Sequence, residues 1–177
     1  FPTNQDEEWK YTSLNKIVKR DFDFSSQVSS EILAKDIEPF LCERLDSYKL
    51  IFINGVFNKS LSTLDSNEKY FVGSLKQGMK EMPEIIKAYY GKLADTKQSL
   101  VALNTAMADE GAFVYVKKGV KLDKLVQILF VNTNHEESRM MQTRNLFVLE
   151  DFAEAQIFER HQAFNQGHVF SNSVTES

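Results

Sequence analysis

The side chains best suited to chemistry are three histidines, His135, His161 and His168, and a scatter of carboxylates. His161 stands two residues after Glu159, and His161 and His168 flank a short polar turn. If the segments on either side of that turn pair, Glu159, His161 and His168 approach one another, and two imidazoles with a carboxylate form a transition-metal set. The spacing does not select that set, because strand-end histidines usually bond to backbone or water. Asp109-Glu110, Glu136-Glu137 and Glu150-Asp151 are acidic pairs in turn-like sequence, where solvated carboxylates are the ordinary outcome. General acid–base work would need a cleft and a perturbed pKa. No glycine-rich phosphate loop, Gly-x-Ser-x-Gly elbow or His-Glu-x-x-His is present. No catalytic, cofactor-binding or metal-binding residue is therefore assigned. The expectation is no hydrolase activity and no stoichiometric iron or zinc.

Cys42 is the only cysteine, which excludes an intramolecular disulfide framework and a cysteine-only zinc site. It reads as a small buried hydrophobe beside a helical stripe. Lys117, Lys118, Lys121 and Lys124 are the nearest thing to a basic patch, and they suit the solvated side of a turn better than a phosphate site. The net charge of −4 is spread without long blocks of one sign, so no nucleic-acid partner is expected. No apolar run approaches the roughly 20 residues of a spanning helix. The expected setting is cytoplasmic, away from membranes.

The elements that must position these residues divide near 108–112. In the first part, Ile37, Phe40, Leu41, Leu45 and Tyr48 share one helical face, with Pro39 in the first turn, predicting a helix over 37–48. Residues 15–30, with Ser25, Ser26, Ser29 and Ser30, read as irregular. Asn54-Gly55 between apolar residues predicts a hairpin. Ser74-Leu75-Lys76-Gln77 has the form of a capping box. Pro83 opens a second helix that stops near Gly91. Asp95-Thr96-Lys97-Gln98 caps a third, with Gly111 as its left-handed C′ residue.

From Ala112 onward the chain reads as extended segments: 113–116, 120–122, 126–131, 145–149, 155–159 and 169–174. They are rich in β-branched and aromatic residues. Most gaps are too short for a helical crossover, and the longer one, 132–143, is polar. A doubly wound fold is not expected on that ground, leaving a sandwich, a meander or a coiled β-solenoid.

Several stretches resemble the SufB/SufD family of scaffold proteins in the SUF iron–sulfur cluster assembly system, its SufD branch more than its SufB branch. They are Asp6-Glu7-Glu8-Trp9-Lys10-Tyr11-Thr12-Ser13-Leu14, and Ile51-Phe52-Ile53-Asn54-Gly55-Val56-Phe57 followed by Leu61-Ser62. Leu103-Asn104-Thr105-Ala106 with 109–120, Arg144-Asn145-Leu146-Phe147-Val148-Leu149, and Phe170-Ser171-Asn172-Ser173-Val174-Thr175-Glu176 continue the likeness in family order. Lys117 stands where the family pattern has Pro. The resemblance implies an α+β chain: a mixed helix/strand N-terminal domain over 1–108, then the first turns of a right-handed parallel β-helix over 109–177. It also implies a non-catalytic scaffold that acts, in the full-length protein, with a SufB-like partner and the ATPase SufC. No cofactor is expected in this chain, since the complex handles the clusters. The family's cluster-linked and SufC-docking residues lie beyond Ser177, so none is carried over.

The chain starts at Phe1 and stops at Ser177 without a winding-down of pattern, which reads as an N-terminal piece of a longer protein. Such a piece is expected to self-associate as a homodimer through its C-terminal β segment. The alternatives are a β-solenoid enzyme acting on carbohydrate or acyl groups, or a stand-alone ligand-binding β-sandwich. The hexapeptide repeat of solenoid acyltransferases is absent.

Overall fold

Alternating and continuous apolar runs need two walls to bury against, and the chain supplies them as two sheets. The computed structural model describes residues 2, 3, 5, 7–23, 32–42, 44–133, 138–164 and 168–177. Short helices α1 (Asn15–Val18) and α2 (Ala34–Ile37) come first, then a 3-10 turn at Glu38–Phe40. β1 (Ser47–Ile53), β2 (Val56–Phe57), β3 (Asp65–Ser66) and β4 (Tyr70–Ser74) follow. After α3 (Leu75–Glu81), α4 (Pro83–Tyr89) and α5 (Ser99–Met107) come β5 (Ala112–Val116), β6 (Leu125–Asn132), β7 (Arg139–Leu149), β8 (Ile157–Ala163) and β9 (Val169–Glu176).

One sheet has the order β2-β1-β6-β8, the other β3-β4-β5-β7-β9. From β5 onward the chain changes sheet at every strand. β5 pairs in parallel with β7, β6 with β8, and β7 with β9. Each parallel crossover thus runs through a strand of the opposite sheet instead of a helix. That excludes the meander.

The sheets face each other across one core. Tyr48, Leu50 and Phe52 of β1 and Val126, Ile128 and Phe130 of β6 meet Ala112, Val114 and Val116 of β5. Outer faces are covered too: Leu75 and Ile86 of the helices pack on Phe113, Tyr115, Leu146 and Val148, while Ile37 packs on Ile51, Ile53, Leu129 and Val131. Burial on both sides explains why β5 reads as an unbroken apolar run and β6 as one interrupted inside only by Gln127.

The fold is therefore α+β, as expected. The described strands of 109–177 do not by themselves form a right-handed parallel β-helix. They complete two mixed sheets that also contain the antiparallel pairs β1–β2, β3–β4 and β4–β5. Both sheets cross the expected boundary at residue 108, because β1 bonds to β6 and β4 to β5.

Local signals held where the turn chemistry is self-contained. Asn54 (φ 51°) and Gly55 (φ 80°) make the tight hairpin turn, both left-handed as such a turn requires. Ser74 Oγ accepts from the Gln77 N–H, and Gln77 Oε1 accepts from the Ser74 N–H at 3.1 Å. Ser74→Ala removes one arm of that reciprocal pair and is expected to cost about 1 kcal/mol. A urea midpoint that does not move would show that the cap contributes nothing. α4 ends as read, with Gly91 at φ 72°.

Other expectations need correction. The helix over 37–48 is replaced by α2, the 3-10 turn and the start of β1, because Tyr48 pairs with Val126 in a parallel ladder. Asp95 does not cap α5; its Oδ1 accepts from the Lys97 N–H in a turn, and the helix starts at Ser99 with Gln98 before it. Gly111 is not left-handed. A Cβ there would lie 1.9 Å from the Arg144 carbonyl oxygen, so close strand approach is what requires glycine. Lys121 contributes only an isolated bridge to Glu154, not a strand over 120–122. β7 begins inside the polar gap, at Arg139. Ser25, Ser26, Ser29 and Ser30 lie outside the described residues.

Candidate functional site

Polar side chains on the inner walls concentrate toward β8 and β9. Asn145 is fully buried; its Oδ1 accepts from the Ala112 N–H at 2.9 Å. Its Nδ2 donates to Glu159 Oε2 at 3.1 Å across the sheets and to Thr175 Oγ1 at 3.2 Å on the next strand. Glu159 Oε1 lies 2.8 Å from His161 Nε2, and the imidazole stacks on Phe130 with centroids 4.7 Å apart. The structure thus unites Glu159 and His161. His168 is elsewhere, at the head of β9, where its carbonyl accepts from the Arg139 N–H. His135, Glu136 and Glu137 lie outside the described residues. Among the described residues, no group of three His, Cys, Asp or Glu side chains could hold a metal.

The acidic pairs divide. Glu150 is a turn carboxylate, but it accepts from the Tyr115 hydroxyl at 2.6 Å and the Lys118 N–H at 2.9 Å. Those bonds hold it below the usual carboxylate range, while burial helps push the Tyr115 phenol up to about 12. Glu110, expected to be solvated, is buried. It borders a cleft of about 260 Å³ shared with Lys76, Asp109 and Arg139. Burial pushes its carboxyl up, against the Gly111 and Lys76 N–H donors that favour the anion. Such a group in a cleft has the makings of an acid or base. Its bonds, however, tie the first turn of α3 to β5, which is an architectural task.

Three lysines of the basic group, Lys118, Lys121 and Lys124, pair with carboxylates. Lys118 meets Asp151 at 3.3 Å, Lys121 meets Glu154 at 2.7 Å, and Lys124 meets Asp46 at 2.8 Å, all at the surface. Cys42 is half-buried and follows the 3-10 turn rather than lining a helix; Gln127 bonds its backbone N–H and carbonyl.

The most densely bonded polar group escaped the sequence reading. Arg144 and Glu176 form a buried ion pair, with Nη2 2.8 Å and Nε 3.1 Å from Glu176 Oε2. Arg144 Nη1 also donates to Thr105 Oγ1 at 2.9 Å, and its guanidinium lies 5.3 Å from the Tyr90 ring centre. Glu176 accepts from the N–H groups of Gly91, Leu93 and Ala94. Burial pushes the Glu176 carboxyl up, but Arg144 and the three N–H donors outweigh it and hold it at about 2. One signal was available. Arg144 shares a strand face with Leu146 and Val148, so a cation stands where apolar residues are buried.

Residues 1–128 match the family model described as the SufBD protein N-terminal region. The chain belongs to the SufBD family. An iron–sulfur cluster assembly SufBD family protein of Synechocystis sp. is 29% identical over 185 residues, covering 99% of this chain and 40% of that relative. The iron–sulfur cluster assembly protein SufD of Escherichia coli is 24% identical over 175 residues, covering 98% of this chain and 38% of its own length. The chain thus spans about two-fifths of these SufBD relatives. Among its described residues, no helix is long and apolar enough to cross a membrane.

Proposed function

We propose that this chain is part of a non-catalytic, SufD-like scaffold subunit for iron–sulfur cluster assembly. In full-length form it would act with a SufB-like subunit and the ATPase SufC in the cytoplasm. The observation that carries the reading is the SufBD N-terminal match over most of the chain, together with end-to-end similarity to SufD. The polar chemistry agrees: Arg144, Glu176, Glu110 and Asn145 spend their bonding capacity holding strands and loops together. The cluster is the product of the system, and no resident cofactor is assigned to this chain. The alternation of β5 to β9 between two sheets supports reading 109–177 as the start of a longer right-handed parallel β-helix, with 1–108 as its N-terminal domain. The exposed edges of β8 and β9 support self-association of this stretch in isolation.

The test is co-purification of the full-length protein with SufB-like and SufC-like proteins from the same source. A stable complex, with ATP hydrolysis confined to the SufC-like subunit, is expected. Failure of the full-length protein to join them would overturn the reading. Carbohydrate cleavage or acyl transfer by the purified protein would favour the enzyme alternative.

A further inference from the structure

Two equivalent turns lie one on the other at one end of the sandwich. In 117–120 the Val120 N–H donates to the Lys117 carbonyl at 3.1 Å; in 150–153 the Ala153 N–H donates to that of Glu150 at 2.9 Å. Bonds from the Gly119 N–H to the Asp151 carbonyl and from the Glu154 N–H to the Val120 carbonyl, both 2.9 Å, hold the turns together.

The third residue of each turn has positive φ: Gly119 at 70° and Phe152 at 61°. Glycine takes that conformation freely, whereas the Cβ of a bulky residue is crowded there. The other non-glycine residue with positive φ among those described is Asn54, a type that tolerates it. Strain is sustained where something offsets it, yet Phe152 is 87% exposed and its ring contact is Lys118 Nζ, 6.0 Å from the ring centre. Among the described residues, nothing repays this placement by burial.

Next to Phe152 in the chain, Ala153 lines a mixed cleft of about 430 Å³ together with Leu122, Leu149 and Ala155 and the charged Lys121 and Glu154. Leu149 is 40% exposed. Around this knob and hole run two adjacent rows of opposite sign, Lys118 and Lys121 at or just after one turn and Asp151 and Glu154 at or just after the other, which bridge to each other within one copy and can exchange partners across a contact. A surface with a knob beside a hole and a basic row beside an acidic row is self-complementary about a two-fold axis. Each Phe152 would meet the other copy's cleft, and each basic row the other's acidic row.

We propose that Phe152 anchors a two-fold contact between two copies of this chain, each ring entering the other copy's cleft beside Leu149. Exposed aromatics that seat in a partner's pocket typically dominate such contacts. This surface is distinct from the β8 and β9 edges.

Sedimentation velocity of the chain across a micromolar concentration series tests the contact. The wild type is expected to dimerise, and Phe152→Gly to weaken association at least about tenfold, with an unchanged or higher melting temperature because glycine suits the backbone. Phe152→Asn is a second variant that accepts positive φ without the ring, and it should lose the dimer equally. A wild type that stays monomeric overturns the proposal. So does a dimer that survives both substitutions, which would place the contact at the strand edges.

Discussion

Arg144→Leu should destabilise the chain by about 3–5 kcal/mol, because it leaves the Glu176 carboxylate buried without its cation. Glu176 is 2% exposed, and Arg144 is completely buried. The three N–H donors of Gly91, Leu93 and Ala94 would still reach the carboxylate, but none carries a full charge. The pair also has a pH signature. The folded pKa of Glu176 is depressed from 4.5 to about 2, so the stability it contributes is full above about 4.5 and lost as pH falls toward 2. Its size is on the order of 3 kcal/mol. Urea midpoints taken on both sides of that window should fall with acid in the wild type and much less in Glu176→Gln. Equal acid sensitivity in the two proteins would mean that another group carries the linkage.

Gly111→Ala should cost about 3 kcal/mol or more, the upper end for forcing one extra carbon into a packed interior. The added Cβ would stand 1.9 Å from the Arg144 oxygen and 2.5 Å from its carbonyl carbon. Both belong to the backbone of β7, a strand paired on both sides, so neither can turn away as a side-chain tip would. Gly91→Ala is the control. Gly91 has positive φ and nothing within 4 Å of the added carbon, so it meets only conformational strain, about 1 kcal/mol. Equal losses at the two glycines would refute close approach as the reason for Gly111. Gly111 and Arg144 share a contact, so Gly111→Ala and Arg144→Leu should not add.

What the sequence determined alone is what short-range physics controls. Asn54-Gly55, Ser74 to Gln77 and the Pro83–Gly91 helix each carry their own turn or cap chemistry, and each formed as read. The apolar runs from 112 onward revealed strands, and their spacing argued against helical crossovers. The family resemblance, carried by motifs spread through the chain, is upheld by the match over 1–128. Only the tertiary structure decided the rest. The stretch 37–48 has a helical period, yet Tyr48 joins β1 because β6, far along the chain, offers it a ladder partner. Gly111 is read locally as a cap, but its constraint comes from β7. Arg144 is a cation on an apolar strand face, a signal that went unread, and no pattern could tell that its counterion is Glu176 or that Thr105 of α5 bonds its other nitrogen. A strand's period tells which face a side chain takes; which residues meet it there depends on which strands pair, and that is settled by contacts distant in sequence.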